Sequence, residues 1–220
     1  MFKADILQGD RHEQYAQLLD QARALMHGER DRVANAANLS ALVYHALPDL
    51  NWVGFYFHDG VELVVGPFQG LPACVRIAIG KGVCGTAAAT GATQRVPDVD
   101  AFPGHIACDS ASRSELVVPL FDGDTLVGVF DLDSPLPGRF DAIDQQGIEA
   151  IARAWLEAST AARPAAETAG TPHPAPSCAT SARSLPHGCD RPASARRRTW
   201  RRSVRWPRSC ASSAPASSRA

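Results

Sequence analysis

The apolar residues in the first 50 positions recur every three or four residues, which is the period of an amphipathic helix. In the first stretch these residues are Leu18, Leu19, Ala22 and Leu25. In the second stretch they are Val33, Ala37, Leu39, Leu42, Val43 and Ala46. The spacing predicts helices over residues 13–26 and 32–47. Pro48 ends the second helix, because a proline disfavours helical geometry in the residue before it.

After residue 50 the pattern changes to short β-branched and aromatic runs bounded by turn residues, which is typical of strands. Two hairpins are predicted, pairing residues 51–57 with 61–65 and residues 114–121 with 125–133. The other predicted elements are strands at 75–79 and 93–96, a short helix at 83–90, an irregular loop at 98–113 and a last helix at 142–160. Strands joined by tight turns pair antiparallel. We therefore predict an α+β fold, a mainly antiparallel sheet with helices on one face.

Charge divides the chain into two parts. Residues 1–160 contain 21 acidic and 11 basic side chains, whereas residues 161–220 contain 11 arginines and two acids. The second part is rich in Ala, Ser, Pro and Arg and has few large apolar residues, so it cannot bury enough surface to fold alone. We predict one domain over 1–160 and a tail over 161–220 that is either disordered or derived from a frameshift. The basic run at 196–202 could bind nucleic acid, but it has no lysine and no periodicity, and we expect no nucleic-acid partner.

No apolar run reaches the length of a membrane span, and the first five residues lack the apolar core of a signal peptide. We therefore expect a cytoplasmic protein without a membrane partner. In such a compartment the six cysteines are free for catalysis, metal binding or simple packing. Cys74, Cys84 and Cys108 lie in the predicted domain, at spacings that match no zinc site. The three cysteines of the tail receive no role.

Cys84 lies in the motif G-x-G-x-x-G at residues 80–85, between a predicted strand and a predicted helix. This motif occurs in dinucleotide sites. The helix is too short for a usual crossover and the sheet is built from hairpins, so we do not favour that interpretation. A helix N-terminus lowers the pKa of a thiol, and we expect this effect at Cys84. Cys108 lies in a polar loop, which favours a reactive thiol over a buried one.

Three carboxyl groups are predicted to meet at one end of the second hairpin. Asp131 and Asp133 are two residues apart on a strand, so they share a face, together with Val127 and Val129. Glu115 lies at the start of the partner strand. Such a cluster raises the pKa of at least one carboxyl group and can supply a proton, and it can equally hold a substrate ammonium group.

An aromatic pair is predicted on the first hairpin. Trp52 and Tyr56 share one face, and Gly54 between them would leave a hollow suited to a methyl or thioether group. The alternative is that both rings belong to an ordinary core.

Together these segments resemble the free methionine-(R)-sulfoxide reductases, which are GAF-domain enzymes. The five matching segments are NWVGFY at 51–56, the stretch from Cys74 to Ala87 that ends in GKGVCGTA, IACD at 106–109, SRSE at 112–115 and FDLDS at 130–134. The resemblance covers roughly residues 10–160 and implies reduction of free methionine-(R)-sulfoxide without a metal or a bound cofactor. It also implies a homodimer.

The resemblance also implies roles for single residues. Cys108 looks like the nucleophile, which would become a sulfenic acid, and Cys84 is the first choice for the thiol that then forms a disulfide with it. Cys74 is the alternate or a second relay, and thioredoxin, recharged from NADPH, would be the external reductant. The acidic residues would protonate the sulfoxide oxygen and orient the substrate, and the aromatic pair would seat its methylthio group. These residues are Glu115, Asp131, Asp133, Trp52 and Tyr56. The alternative function is a GAF sensor domain that binds a small ligand without chemistry.

Overall fold

A computed structural model describes residues 4–104 and 110–160. Its elements in chain order are α1 (Arg11–Leu25), α2 (Arg32–Ala46), β1 (Trp52–His58), β2 (Glu62–Gly70), β3 (Arg76–Ala78), α3 (Gly82–Thr90), β4 (Gln94–Val96), β5 (Ser114–Asp122), β6 (Thr125–Ser134) and α4 (Ala142–Thr160). A short 3-10 turn, Val99–Ala101, lies in the predicted loop. Cys108 and the tail at 161–220 lie outside the described residues, as does the predicted domain boundary after residue 160. In the part of the chain that is described, no helix is both long enough and apolar enough to span a bilayer.

The strands form one sheet in the order β3-β2-β1-β6-β5-β4, and each neighbouring pair is antiparallel. The two predicted hairpins are β1–β2 and β5–β6. Strands β1 and β6 pair at the centre and join the hairpins into a continuous sheet. The predicted antiparallel α+β fold is therefore confirmed.

The first two helices begin where an aspartate caps them. Asp10 accepts a hydrogen bond from the backbone N–H of Glu13, and the Glu13 carboxylate accepts one from the N–H of Asp10, which is a capping box. Asp31 accepts hydrogen bonds from two N–H groups at the start of α2. Helix α1 therefore begins at Arg11, two residues before the predicted start, because the cap rather than the apolar period fixes its first turn.

The two faces of the sheet carry two separate cores. Helices α1, α2 and α4 cover one face, with Trp155 and Leu39 among their buried residues. The strand residues of this core are Val53, Phe55, Leu116, Val118, Leu120, Phe130 and Leu132. Helix α3 packs on the opposite face, so it is the exception to the predicted one-sided arrangement. The strand residues of that second core are Trp52, Tyr56, Leu63, Ile77, Val96, Val117 and Val129.

Strand β2 runs to Gly70, beyond the predicted end at residue 65. Its second half contains Gly66 and Pro67, which are typical turn residues and which led to the short prediction. Both residues lie opposite the single residue Phe55 of β1, forming a β-bulge. Strand β3 pairs only with the start of β2, and this pairing ends before Pro67. The missing N–H of Pro67 therefore leaves no carbonyl of β3 without a hydrogen bond.

A buried ion-pair cluster, here called the Asp144 clamp, ties α1 to the start of α4. The carboxylate of Asp144 is almost fully buried and accepts hydrogen bonds from the guanidinium groups of Arg11 and Arg139. It also accepts one from the hydroxyl of Tyr15 at 2.7 Å and one from the backbone N–H of Asp141 at 2.8 Å. Burial opposes ionisation, but these donors outweigh it and lower the pKa of Asp144.

Candidate active site

Helix α3 lies very close to the sheet edge because of a glycine. A Cβ atom on Gly85 would come within 2.4 Å of the carbonyl oxygen of Ala78, at the end of β3. The backbone N–H of Gly80 also donates to the carbonyl of Gly85 at 2.8 Å. This glycine of the G-x-G-x-x-G motif therefore serves to pack a nine-residue helix, a geometry unlike the dinucleotide crossover that we did not favour.

Cys84 is the third residue of α3 and faces the sheet. Its side chain is buried among residues of the second core, over strands β5 and β6. Cys74 lies before β3, is half-buried, and packs beside the same core. Both are free thiols.

The strand register brings the three predicted acids to one place, as expected. Glu115 of β5 lies directly opposite Asp133 of β6, and Asp131 lies one pair further along, opposite Val117. The three acids lie on the α3 face of the sheet, where the Cys84 thiol contacts Glu115 and Asp131. The prediction that Val127 shares this face is wrong. A bulge near Leu120 shifts the register, and Val127 packs against the three-helix core instead.

The thiol of Cys84 lies between two carboxyl groups. Its Sγ atom is 3.2 Å from Oδ2 of Asp131 and 3.8 Å from Oε1 of Glu115, both within reach of a hydrogen bond from sulfur. Glu115 and Asp131 are 7% and 5% exposed and Cys84 is 4% exposed, so little solvent reaches this group. In the described part of the chain, no lysine, arginine or histidine forms an ion pair with either acid. We call Cys84, Glu115 and Asp131 the buried trio.

Burial raises the pKa of each member of the buried trio. Burial raises the pKa of Glu115, and the neighbouring Asp131 and Asp133 raise it further. Burial also raises the pKa of Asp131, although hydrogen bonds with Cys84 and Glu115 partly oppose the rise. The predicted carboxyl pKa shift is therefore confirmed.

The prediction for the Cys84 thiol is wrong in sign. Burial raises its pKa, and the negative charges of Asp131 and Glu115 add to the rise. A helix N-terminus favours a thiolate, but this helix is only nine residues long and its first turn faces two acids in a dry site. The nearby charges decide the outcome.

The aromatic pair forms a stack of three rings. Trp52 stacks on Tyr56 with 5.7 Å between ring centroids and on Phe68 with 5.2 Å. The predicted hollow at Gly54 is absent, because the Trp52 ring lies over this residue; a Cβ atom there would be 2.5 Å from the indole. Sequence reasoning missed Phe68 because its segment, GPFQG, has the composition of a turn.

Comparisons with known proteins identify the family of this chain. The GAF domain family matches residues 10–154. Protein YtsP of Bacillus subtilis is 56% identical over 149 residues, which is 66% of this chain and 91% of that protein. The free methionine-R-sulfoxide reductase of Escherichia coli is 51% identical over 142 residues, which is 64% of this chain and 86% of the relative. This chain belongs to the GAF-domain family of free methionine-R-sulfoxide reductases.

A solved structure of this family has a similar fold. The free methionine-R-sulfoxide reductase from Neisseria meningitidis, in complex with its substrate, superposes with a TM-score of 0.69 at 44% identity. The match covers 73% of this chain and 98% of that one. The predicted recognition of the free methionine-R-sulfoxide reductase family is thus confirmed. The site residues remain predictions, and Cys108, in the IACD segment, lies in the stretch 105–109 that the structure does not describe.

Proposed function

We propose that this chain reduces free methionine-(R)-sulfoxide to methionine, using its own thiols and no bound cofactor. The observation that carries the proposal is the buried trio, a thiol between two acids of raised pKa, in a chain 51% identical to a reductase of this name. A sulfoxide oxygen leaves only after protonation, so the reaction needs a neutral acid beside a thiol. The raised carboxyl pKa values meet that need.

In the first step, the thiolate of Cys108 attacks the sulfoxide sulfur. The oxygen takes a proton from Glu115 or Asp131, and the resulting hydroxyl group is transferred from the substrate sulfur to the Cys108 sulfur. The substrate's sulfur–oxygen bond and its transient bond to Cys108 both break, and methionine leaves. Cys108 is oxidised to a sulfenic acid and the acid becomes a carboxylate. Asp133, opposite Glu115, completes the acidic cluster that protonates and orients the substrate. Trp52 and Tyr56, on the same face of the sheet, would contact the methylthio group through their stacked rings rather than through a hollow at Gly54.

In the second step, Cys84 attacks the sulfenic sulfur and forms a disulfide with Cys108. The thiol proton leaves through the carboxylate and the hydroxyl leaves as water, so the acid alternates between donor and acceptor. The raised pKa of Cys84 suits this role, since its thiol gives up a proton only when an ionised carboxylate lies beside it. Cys74 is the alternate resolving thiol or a relay to thioredoxin, whose dithiol would reduce the disulfide. Free thiols of this kind fit the cytoplasmic location that we propose. The homodimer is proposed from the family resemblance alone.

The test is a thioredoxin-coupled assay with the R and S sulfoxides of methionine, each free and within a peptide. We expect turnover of the free R form only. Cys108→Ser should abolish it, and Cys84→Ser should leave a trapped sulfenic acid detectable by dimedone labelling. Cys178→Ser, in the tail, is the matched control and should keep full activity, as should deletion of residues 163–220.

A GAF sensor domain would behave differently. It would bind the sulfoxide without losing hydrogen, whereas the reductase must lose two hydrogens per chain when the substrate is added without thioredoxin. An intact mass that does not change, or activity of Cys108→Ser at the wild-type rate, would rule out the proposed mechanism.

A further inference from the structure

We propose that the reduced buried trio is a binding site for a thiophilic divalent cation such as Zn²⁺. The three candidate ligands are Sγ of Cys84 and one carboxylate oxygen each from Glu115 and Asp131, and these atoms all lie within 4.8 Å of one another. They come from α3, β5 and β6, which also form the framework of the second core. A ligand set held by packed elements is already arranged for a small ion.

The separations fit tetrahedral coordination. With Zn–S near 2.3 Å and Zn–O near 2.0 Å, a tetrahedral zinc places its sulfur and oxygen ligands about 3.5 Å apart. The Cys84 sulfur lies 3.2 Å from the Asp131 oxygen and 3.8 Å from the Glu115 oxygen. Each sulfur–oxygen separation is thus about 0.3 Å from the tetrahedral value. Three protein ligands leave the fourth position open.

A second observation points to a missing cation. Oδ1 of Asp131, the carboxyl oxygen that does not contact the Cys84 sulfur, is buried and has no hydrogen-bond partner within residues 4–104 and 110–160. In the same described part no basic side chain pairs with Asp131 or Glu115. Buried carboxyl groups are normally paired or bound to a metal. The thiol selects the ion, because sulfur favours zinc-like metals, whereas magnesium and calcium need oxygen ligands alone.

Metal binding would withdraw Cys84 from disulfide formation and occupy the acids that donate protons. The site would thus make the enzyme sensitive to free zinc. This inhibitory consequence rests on the proposed function, but the binding itself does not. The two can therefore be tested separately.

The test titrates Co²⁺ into the full, reduced chain without oxygen, because a cobalt–thiolate bond gives a near-ultraviolet charge-transfer band. We expect one equivalent to produce the band and Zn²⁺ to displace it. Cys84→Ser should remove it, and Asp131→Asn, which is almost isosteric, should weaken binding at least about tenfold. Cys74→Ser and the triple variant of Cys178, Cys189 and Cys210 to Ser are matched thiol controls, and both should keep the wild-type affinity.

No band in the wild-type chain, or a band of full affinity in Asp131→Asn, would overturn the site. If Cys84→Ser fails to fold, the Asp131→Asn result decides alone. In the reductase assay, Zn²⁺ should inhibit turnover by wild-type enzyme and a chelator should restore it. A chain that binds cobalt as described but reduces no sulfoxide would support the metal site and overturn the proposed function.

Discussion

The buried trio and the Asp144 clamp both remove carboxyl groups from water, with opposite results. Asp144 has two guanidinium groups and a tyrosine hydroxyl around it, and its pKa is lowered despite burial. Burial raises the pKa of Asp131, which has a thiol and another acid beside it. The difference shows that the neighbours, not the burial, decide whether a buried acid is ionised. The clamp holds an ionised acid between basic groups, whereas the buried trio holds acids of raised pKa, which the proposed reaction needs.

The largest expected effect comes from breaking the clamp. Asp144→Asn leaves Arg11 and Arg139 facing a group that cannot neutralise them, and we expect the free energy of unfolding to fall by about 3 kcal/mol at neutral pH. Urea denaturation followed by circular dichroism measures this change. The loss should shrink at acid pH. A carboxyl group with a lowered pKa stabilises the fold above its unfolded pKa and loses that contribution as pH falls through its folded pKa.

Asp141→Asn is the matched control for the clamp. Asp141 pairs with the same Arg11, but its side chain is 48% exposed, and asparagine can still cap α4. We expect a change below about 1 kcal/mol. Equal losses in the two variants would mean that burial of Asp144 adds nothing to the clamp.

Replacing an acid of the buried trio should change the stability at neutral pH in the opposite direction. A carboxyl group with a raised pKa stabilises the fold at low pH, and this contribution is lost as pH rises through the folded pKa. Asp131→Asn removes the titrating group, so the variant should gain about 1 kcal/mol of stability over wild type at neutral pH. The gain should disappear near pH 4, below which the wild-type acid is protonated in both states.

The same variant should lose sulfoxide reduction while it gains stability, as expected when a site is held in a costly arrangement for function. Denaturation curves across this pH range and the coupled assay measure both effects. If the Asp131→Asn variant is less stable than wild type at neutral pH, the Asp131 carboxylate must have a positive partner. The contrast between the raised pKa of Asp131 and the lowered pKa of Asp144 would then be wrong.

The smallest effect concerns thiol reactivity. Cys74 is half-buried, whereas Cys84 is buried with a raised pKa, so iodoacetamide should modify Cys74 at least about tenfold faster at neutral pH. Peptide mass spectrometry resolves the two sites, and unfolding in urea should make the rates converge. Equal rates in the folded chain would contradict the assigned environment of Cys84.

The acidic half of the candidate site could be predicted because its geometry is local. Alternation along β6 places Asp131 and Asp133 on one face, and the tight turn after β5 brings Glu115 opposite them. The sign of the Cys84 shift could not be predicted in this way. It depends on where α3 packs on the sheet. Cys84 is separated along the chain by 31 positions from Glu115 and by 47 positions from Asp131.

Other differences have equally specific causes. The Trp52 ring folds over Gly54, and a one-residue bulge turns Val127 to the other face, which no alternation rule anticipates. The Asp144 clamp was missed because its partners are charged residues near opposite ends of the domain, with no local pattern to connect them. Periodicity predicts the elements, but packing between distant elements fixes the side-chain environments.

The sequence separation within the two clusters carries a consequence for folding. Glu115 and Asp131 belong to one hairpin, and closing such a short loop costs little chain entropy. Arg11 and Asp144 are 133 residues apart, so the clamp closes only when the last helix meets the first. During synthesis from the N-terminus, the acidic hairpin can form before α4 is made and can pack against α1. We therefore expect the clamp to be among the last contacts made, joining the two ends of the domain after the acidic hairpin is in place.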